Sequence, residues 1–135
     1  MAYIDWDETY SVSVKAMDDQ HKKLVGLINQ LHDAMKAGQG SKEAPEILKS
    51  LVDYTHYHFE AEEKMLEKGA YPGLLNQQKM HKVFVDQIEQ YQADLATKSL
   101  TMGVKLSEFL KNWLMNHISV EDKKYGKFMN EKGIQ

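Results

Sequence analysis

Cysteine is absent from this chain of 135 residues, which excludes disulfides, zinc–thiolate sites and iron–sulfur clusters and permits a reducing compartment. Long apolar runs are also missing, and the acidic start Met1-Ala-Tyr-Ile-Asp-Trp-Asp-Glu8 has no basic leader. Neither a membrane span nor a signal peptide is therefore expected, and the cytoplasm is the expected location. Charge of one sign is not in excess: 17 Lys plus Arg stand against 20 Asp plus Glu, a net charge of −3. Without a basic surplus, nucleic acid is not an expected partner, and nothing identifies a protein partner. Strand-like alternation is confined to Tyr10-Ser-Val-Ser-Val14. No repeat, linker or low-complexity tract divides the chain, so residues 1-135 read as one domain, which at this length buries roughly 65–70% of its unfolded surface.

Proline is nearly absent too, and Pro45 and Pro72 both fall where the pattern of apolar residues changes. Each reads as a helix start, because proline is tolerated in a first turn and not in an interior. Ile47, Leu51, Tyr54, His58, Glu62 and Met65 step by four and three residues toward Gly69, predicting a helix over roughly 43-68. Upstream, His21, Leu24, Ile28, Leu31 and Met35 form a second stripe, with Asp18 or Asp19 placed to cap it and the Gly38-Gln-Gly40-Ser41 break to end it. Leu74, Gln77, His81, Phe84, Ile88, Tyr91 and Leu95 form a third, and beyond the polar Thr97-Lys-Ser99 region Leu106, Leu110, Trp113 and His117 form a fourth. Four amphipathic segments with short breaks predict an all-α, up-down-up-down four-helix bundle. Residues 1-17 would form an N-terminal arm over one end, and Lys123 to Lys132 a short C-terminal helix.

A lone histidine on an apolar stripe is more often a satisfied core residue than a ligand. Here His21, His58, His81 and His117 each fall in phase with the stripe of a different helix, while His32 and His56 fall off it. Glu62 lies one turn after His58, and Asp122 lies close after His117. Buried carboxylates are costly unless paired or bound to metal, so the set points to a metal centre. Imidazole and carboxylate without thiolate suit iron, manganese or zinc, and six side chains exceed one tetrahedral zinc. Two metals, with Glu62 and Asp122 spanning the pair, fit the donor set better. Ferritin-like sites use more carboxylates and Glu-x-x-His motifs; the smaller number of anionic donors here favours reversible binding of a small molecule over substrate oxidation.

Asp18-Asp-Gln-His21-Lys, His58-Phe-Glu-Ala-Glu62, Met80-His81-Lys and Trp113-Leu-Met-Asn-His117-Ile-Ser-Val-Glu-Asp122-Lys-Lys-Tyr-Gly126 resemble the ligand motifs of the hemerythrin family, its bacterial branch in particular, over nearly the whole chain. Trp6 and the Tyr10 to Val14 stretch resemble that family's N-terminal arm. The resemblance implies a non-haem di-iron centre that binds dioxygen, for storage, delivery or sensing. It implies that His21 and His58 hold the iron that receives oxygen, and His81 and His117 the other. Glu62 and Asp122 would bridge both beside an oxo or hydroxo group. Leu24, Leu114 and Trp113 would line the oxygen pocket, a role that ordinary core packing neither requires nor excludes.

One position departs from the family pattern, whose third helix normally carries His-x-x-x-His. The residue four before His81 is Gln77, an amide oxygen donor weaker than imidazole. The second iron could take Gln77, water or nothing there, and two iron ions with two imidazoles each are the expected outcome. The departure encourages one alternative, a di-iron redox enzyme acting on peroxide or nitric oxide; a bundle that buffers iron or merely interacts with a partner is the other.

Overall fold

The computed structural model describes residues 3–36, 40–95 and 100–135, without the side chains of residues 40–42, 95 and 100–104. After a short 3₁₀ turn at Glu8–Tyr10 come α1 (Lys15–Lys36), α2 (Gly40–Lys68), α3 (Leu74–Leu95), α4 (Leu100–Asn116) and α5 (Lys123–Glu131), with a π-helical turn at His117–Asp122 joining the last two. α1 packs on α2, α2 on α3, α3 on α4 and α4 back on α1, which closes the ring of an up-down-up-down bundle. No strand occurs among the described residues: Val12 and Val14 are buried, but Ser13 between them has φ +60°, which breaks extended pairing.

The apolar stripes end up inside with one rotation. His21, Leu24, Ile28 and Leu31 of α1 and Gln77, His81, Phe84 and Ile88 of α3 are buried as their spacing requires. On α2, Ile47, Tyr54 and Met65 are only half-buried, while Ala44, Leu48, Thr55, Phe59 and Leu66 join Leu51, His58 and Glu62 inside. α2 packs against both α1 and α3, so its buried arc is wider than one stripe and is shifted by a position. The side chain of Leu95, and the breaks at Gly38-Gln39 and Thr97-Lys-Ser99, lie outside the described residues.

Helix starts differ from the reading in two places. Pro45 does not begin α2: the helix already runs from Gly40, and proline sits in its second turn, where it forgoes a single intrahelical bond. Pro72 does precede its helix, in the turn before Leu74. Asp18 does not cap α1, which begins three residues earlier; its carboxylate turns back to accept from the Val12 amide (2.8 Å) and the Ser11 hydroxyl (2.6 Å). Asp19 is exposed and pairs with Lys15. α2 ends at Lys68, beside Gly69 as read, and the left-handed residue that closes it is Ala70 (φ +55°), with Tyr71 N–H closing on the Leu66 carbonyl. A Cβ on Gly69 would meet Met129 Cε at 2.6 Å, so the end of the Met129 side chain would have to turn aside.

The arm is longer in reach than a cap over one end. Asn29 clamps the Ile4 backbone from both sides, at 2.8 and 2.9 Å, and Tyr3 stacks on His32 beneath Lys111. From there the chain descends along α1 to Asp18 and to α5, where Asn130 Nδ2 donates to the Ser13 carbonyl. Gly126 lets it pass: a Cβ at that position would lie 2.0 Å from the Val12 carbonyl oxygen. By holding the arm and α5 together, these contacts fix the segment that follows Asp122.

Candidate metal centre

Three helices and one π turn bring six donors together at the bundle's interior. His21 comes from α1, His58 and Glu62 from α2, His81 from α3, and His117 and Asp122 from the two ends of the π turn. All six are buried, none more than 5% exposed. His58 and Glu62 share a face by ordinary α-helical spacing. His117 and Asp122 are five apart, and on an α-helix that step would leave them roughly 140° apart. The π turn, with its i→i+5 bonding, brings Asp122 round beside His117.

Each carboxylate shows one oxygen to each side. Glu62 Oε2 lies 3.3 Å from Nε2 of both His21 and His58, and Glu62 Oε1 lies 3.0 Å from Nε2 of His81. Asp122 Oδ2 lies 3.2 Å from His21 Nε2, and Oδ1 lies 3.2 Å from His117 Nε2. Among the described residues two overlapping triplets, His21, His58, Glu62 and Glu62, His81, His117, keep their donor atoms within 4.8 Å of one another. Glu62 Oε1 is not aligned with any hydrogen-bond donor despite that 3.0 Å approach. Such atoms converge on a common point more than on each other, and a cation there would satisfy them.

The surroundings orient the imidazoles. His58 Nδ1 donates to Gln20 Oε1 at 2.6 Å and His81 Nδ1 donates to Glu63 Oε2 at 2.8 Å, so both rings direct Nε2 inward. Phe59 lies flat on His81 (3.7 Å, 2°) and Trp113 on His117 (4.5 Å, 18°). The Tyr125 hydroxyl donates to Glu62 Oε2 at 2.7 Å. Burial pushes His21 down, but hydrogen bonds to Asp122 and Glu62 outweigh it and lift its pKa to about 9. Burial works against ionisation of Glu62, yet the charge on His58 and the nearby His21 and His81 hold it well below the usual carboxylate value. Asp122 is lowered as well, against burial and the charge of Glu62, by His117 and His21. The buried Tyr125 phenol is pushed well above 10.0 by burial and by Glu62 and Asp122, so it remains a donor. Without a cation the imidazoles and carboxylates hold one another; with one, the same atoms become its donors.

The six donors singled out from the sequence thus share one place, and Gln77 is there too, buried, with Nε2 donating to Asp122 Oδ1 at 3.0 Å. Leu24 and Leu114 are buried one turn from His21 and His117. His32 and His56 stand apart, the first stacked on Tyr3 and the second exposed beside Glu89. Sequence reasoning missed Gln20, Glu63 and Tyr125. Gln20 precedes His21 by one residue and Glu63 follows Glu62 by one, but only the paired helix shows which imidazole each one reaches. Tyr125 lies three residues after Asp122, a spacing that could have marked it.

Comparison with known proteins agrees with this geometry. The family model described as hemerythrin HHE cation binding domain matches residues 12–129. A bacteriohemerythrin of Pseudomonas aeruginosa is 33% identical over 93% of this chain and 80% of its own. A bacteriohemerythrin of Methylococcus capsulatus is 31% identical over 93% and 96%, and a hemerythrin-like protein of Naegleria gruberi 36% identical over 90% and 89%. Among solved structures, wild-type hemerythrin superposes with a TM-score of 0.85 at 28% identity, over 93% of this chain and 97% of that one. A family model that spans all six donors, relatives above 30% identity over most of the chain and a shared bundle together show that this chain belongs to the hemerythrin HHE cation binding domain family.

Proposed function

We propose that this chain holds two iron ions and binds dioxygen reversibly. The observation that carries the proposal is the division of each carboxylate, one oxygen toward each pair of imidazoles. In this reading His21 and His58 hold one iron, His81 and His117 the other, and Glu62 and Asp122 serve both. Bound there, an iron pair would supply the electrons that hold dioxygen and let it leave unchanged. The chain's part is to position the donors and keep water out. Leu24 and Leu114 are buried beside the ligand-bearing turns, and Trp113 and Phe59 cover His117 and His81, which keeps the centre dry and supports release of oxygen unchanged. Storage, delivery and sensing are all served by this chemistry.

The experiment is iron analysis of the purified protein, paired with visible spectra over cycles of oxygen and argon after reduction. Two irons per chain and a band that rises with oxygen and falls with argon are expected. A chain without iron would leave only the reading of a bundle that does not use this metal. A second reading, redox turnover of peroxide or nitric oxide, draws on Gln77, which leaves two imidazoles on each side. Turnover with accumulation of the ferric form, and no reversible band, would select it.

A further inference from the structure

Both buried carboxylates of the centre receive one hydrogen bond from an uncharged side chain. Tyr125 donates to Glu62 Oε2, the oxygen that faces His21 and His58. Gln77 donates to Asp122 Oδ1, the oxygen that faces His117. The two donors sit on opposite sides of the cluster and come from elements unrelated in sequence, α5 and α3. Each pins one oxygen of a carboxylate whose other oxygen reaches across. We propose that Gln77 is a positioning residue for Asp122, the counterpart of Tyr125 for Glu62, and not a seventh metal donor. This rests on reading the cluster as a two-metal centre.

The amide's orientation supports the assignment. Turning the Gln77 amide over would set Oε1 against the Asp122 carboxylate, two acceptors without a proton between them, so the charge on Asp122 fixes nitrogen toward it. A neutral amide nitrogen offers a metal no lone pair. Oε1 is buried without a hydrogen-bond partner and is the one atom of Gln77 through which a metal could be held, so metal stoichiometry and band form decide between the two roles. Asp122 needs such a restraint more than Glu62 does. It ends the π turn, its own side chain makes no capping bond there, and its side chain must reach both His21 and His117. With Gln77 so engaged, the two metal positions have matching donors, two imidazoles and one oxygen from each carboxylate.

Cobalt(II) titration of the metal-free protein tests this, read by stoichiometry, by affinity and by the visible bands, which report coordination number. The wild type is expected to take two cobalt ions with similar affinities. Gln77→Leu is expected still to take two, with bands of unchanged form and binding about 10–100-fold weaker, the range for loss of an outer hydrogen bond to a ligand. Gln77→Asn, one methylene too short to reach Asp122, should do the same and serves if the leucine variant does not fold. A fall to one cobalt per chain, or a change of band intensity that signals a lost donor, would make Gln77 a ligand and overturn the proposal. Unchanged affinity in both variants would overturn it as well, by leaving Gln77 idle. A wild type that binds no cobalt would defeat the metal-centre reading itself, and Gln77's role with it.

Discussion

Replacing Tyr125 by Phe removes one oxygen and nothing else from the core. The ring is fully buried and keeps its shape, so no cavity forms and the packing against Tyr71 is retained. What is lost is a hydrogen bond of 2.7 Å to the ionised Glu62, and bonds to a charged group are worth about 1.5–3 kcal/mol. Glu62 Oε2 keeps His21 and His58 at 3.3 Å and is not orphaned, which places the loss at the lower end, about 1.5–2 kcal/mol. For a chain of this size each kcal/mol moves Tm by about 3–5 °C, so chelated Tyr125→Phe should melt about 5–10 °C below the chelated wild type. Metal adds stability by binding the folded state and gives the same carboxylate oxygen another partner, so the difference should shrink in the loaded protein. Scanning calorimetry of both forms with and without a chelator measures it. A drop under about 2 °C in the chelated pair, or a larger drop in the loaded pair, would show that the hydroxyl does not hold Glu62 in the way described.

Two further outcomes follow from the same contacts. Gly126→Ala places a methyl where the Val12 carbonyl already sits, so the arm must lift; a loss of about 1–3 kcal/mol is expected. The Val12 amide, bonded to Asp18, should exchange its hydrogen faster, and equal exchange rates in the two proteins would contradict the close approach. In the chelated protein, His21 has a pKa of about 9 against an ordinary 6.5, so its contribution to stability is fully present below pH 6.5 and lost as pH rises through 9. Glu62, lowered from 4.5, contributes above that value and loses its contribution as pH falls. The chelated Tm should therefore peak between about pH 5 and 6.5 and decline toward pH 9, while the loaded protein, its imidazole nitrogens occupied, should lack the alkaline decline. Identical alkaline profiles for the two forms would refute this.

Helix number, order and buried faces were legible because stripes of three- and four-residue spacing survive in any bundle: His21 to Leu31 and Gln77 to Ile88 went inside as read. The failures have local causes. Pro45 looks like a start, but the helix runs through it, and burial of Ala44, Leu48 and Leu51 on the same helix offsets the hydrogen bond it forgoes. Asp18 has the right chemistry for a cap and the right place for one, yet the arm offers its carboxylate two donors from the preceding loop, and tertiary structure decides between them. The end of α2 near Gly69 is legible, but not that this glycine faces the Met129 side chain, far away in sequence. Spacing reports which face a residue occupies; it does not report what waits opposite that face.

The centre shows the same limit more sharply. His58 and Glu62 are related by i+4 and their common face follows from α-helical geometry alone. His117 and Asp122 are related by i+5, which that geometry forbids from sharing a face, so a strict helical reading would have to discard Asp122 or bend the helix. The structure bends it: His117–Asp122 is π-helical, and the extra residue carries the carboxylate round to His21 and His117. A π turn strains the run of hydrogen bonds and persists where surrounding contacts hold it. Here Ile118, within the turn, is fully buried, Tyr125 anchors the following helix to Glu62, and Gly126 admits the arm against that helix. The motif from Trp113 to Gly126 is thus one mechanical unit: its ligands require the irregular turn, and its last two residues supply the contacts that keep the turn irregular.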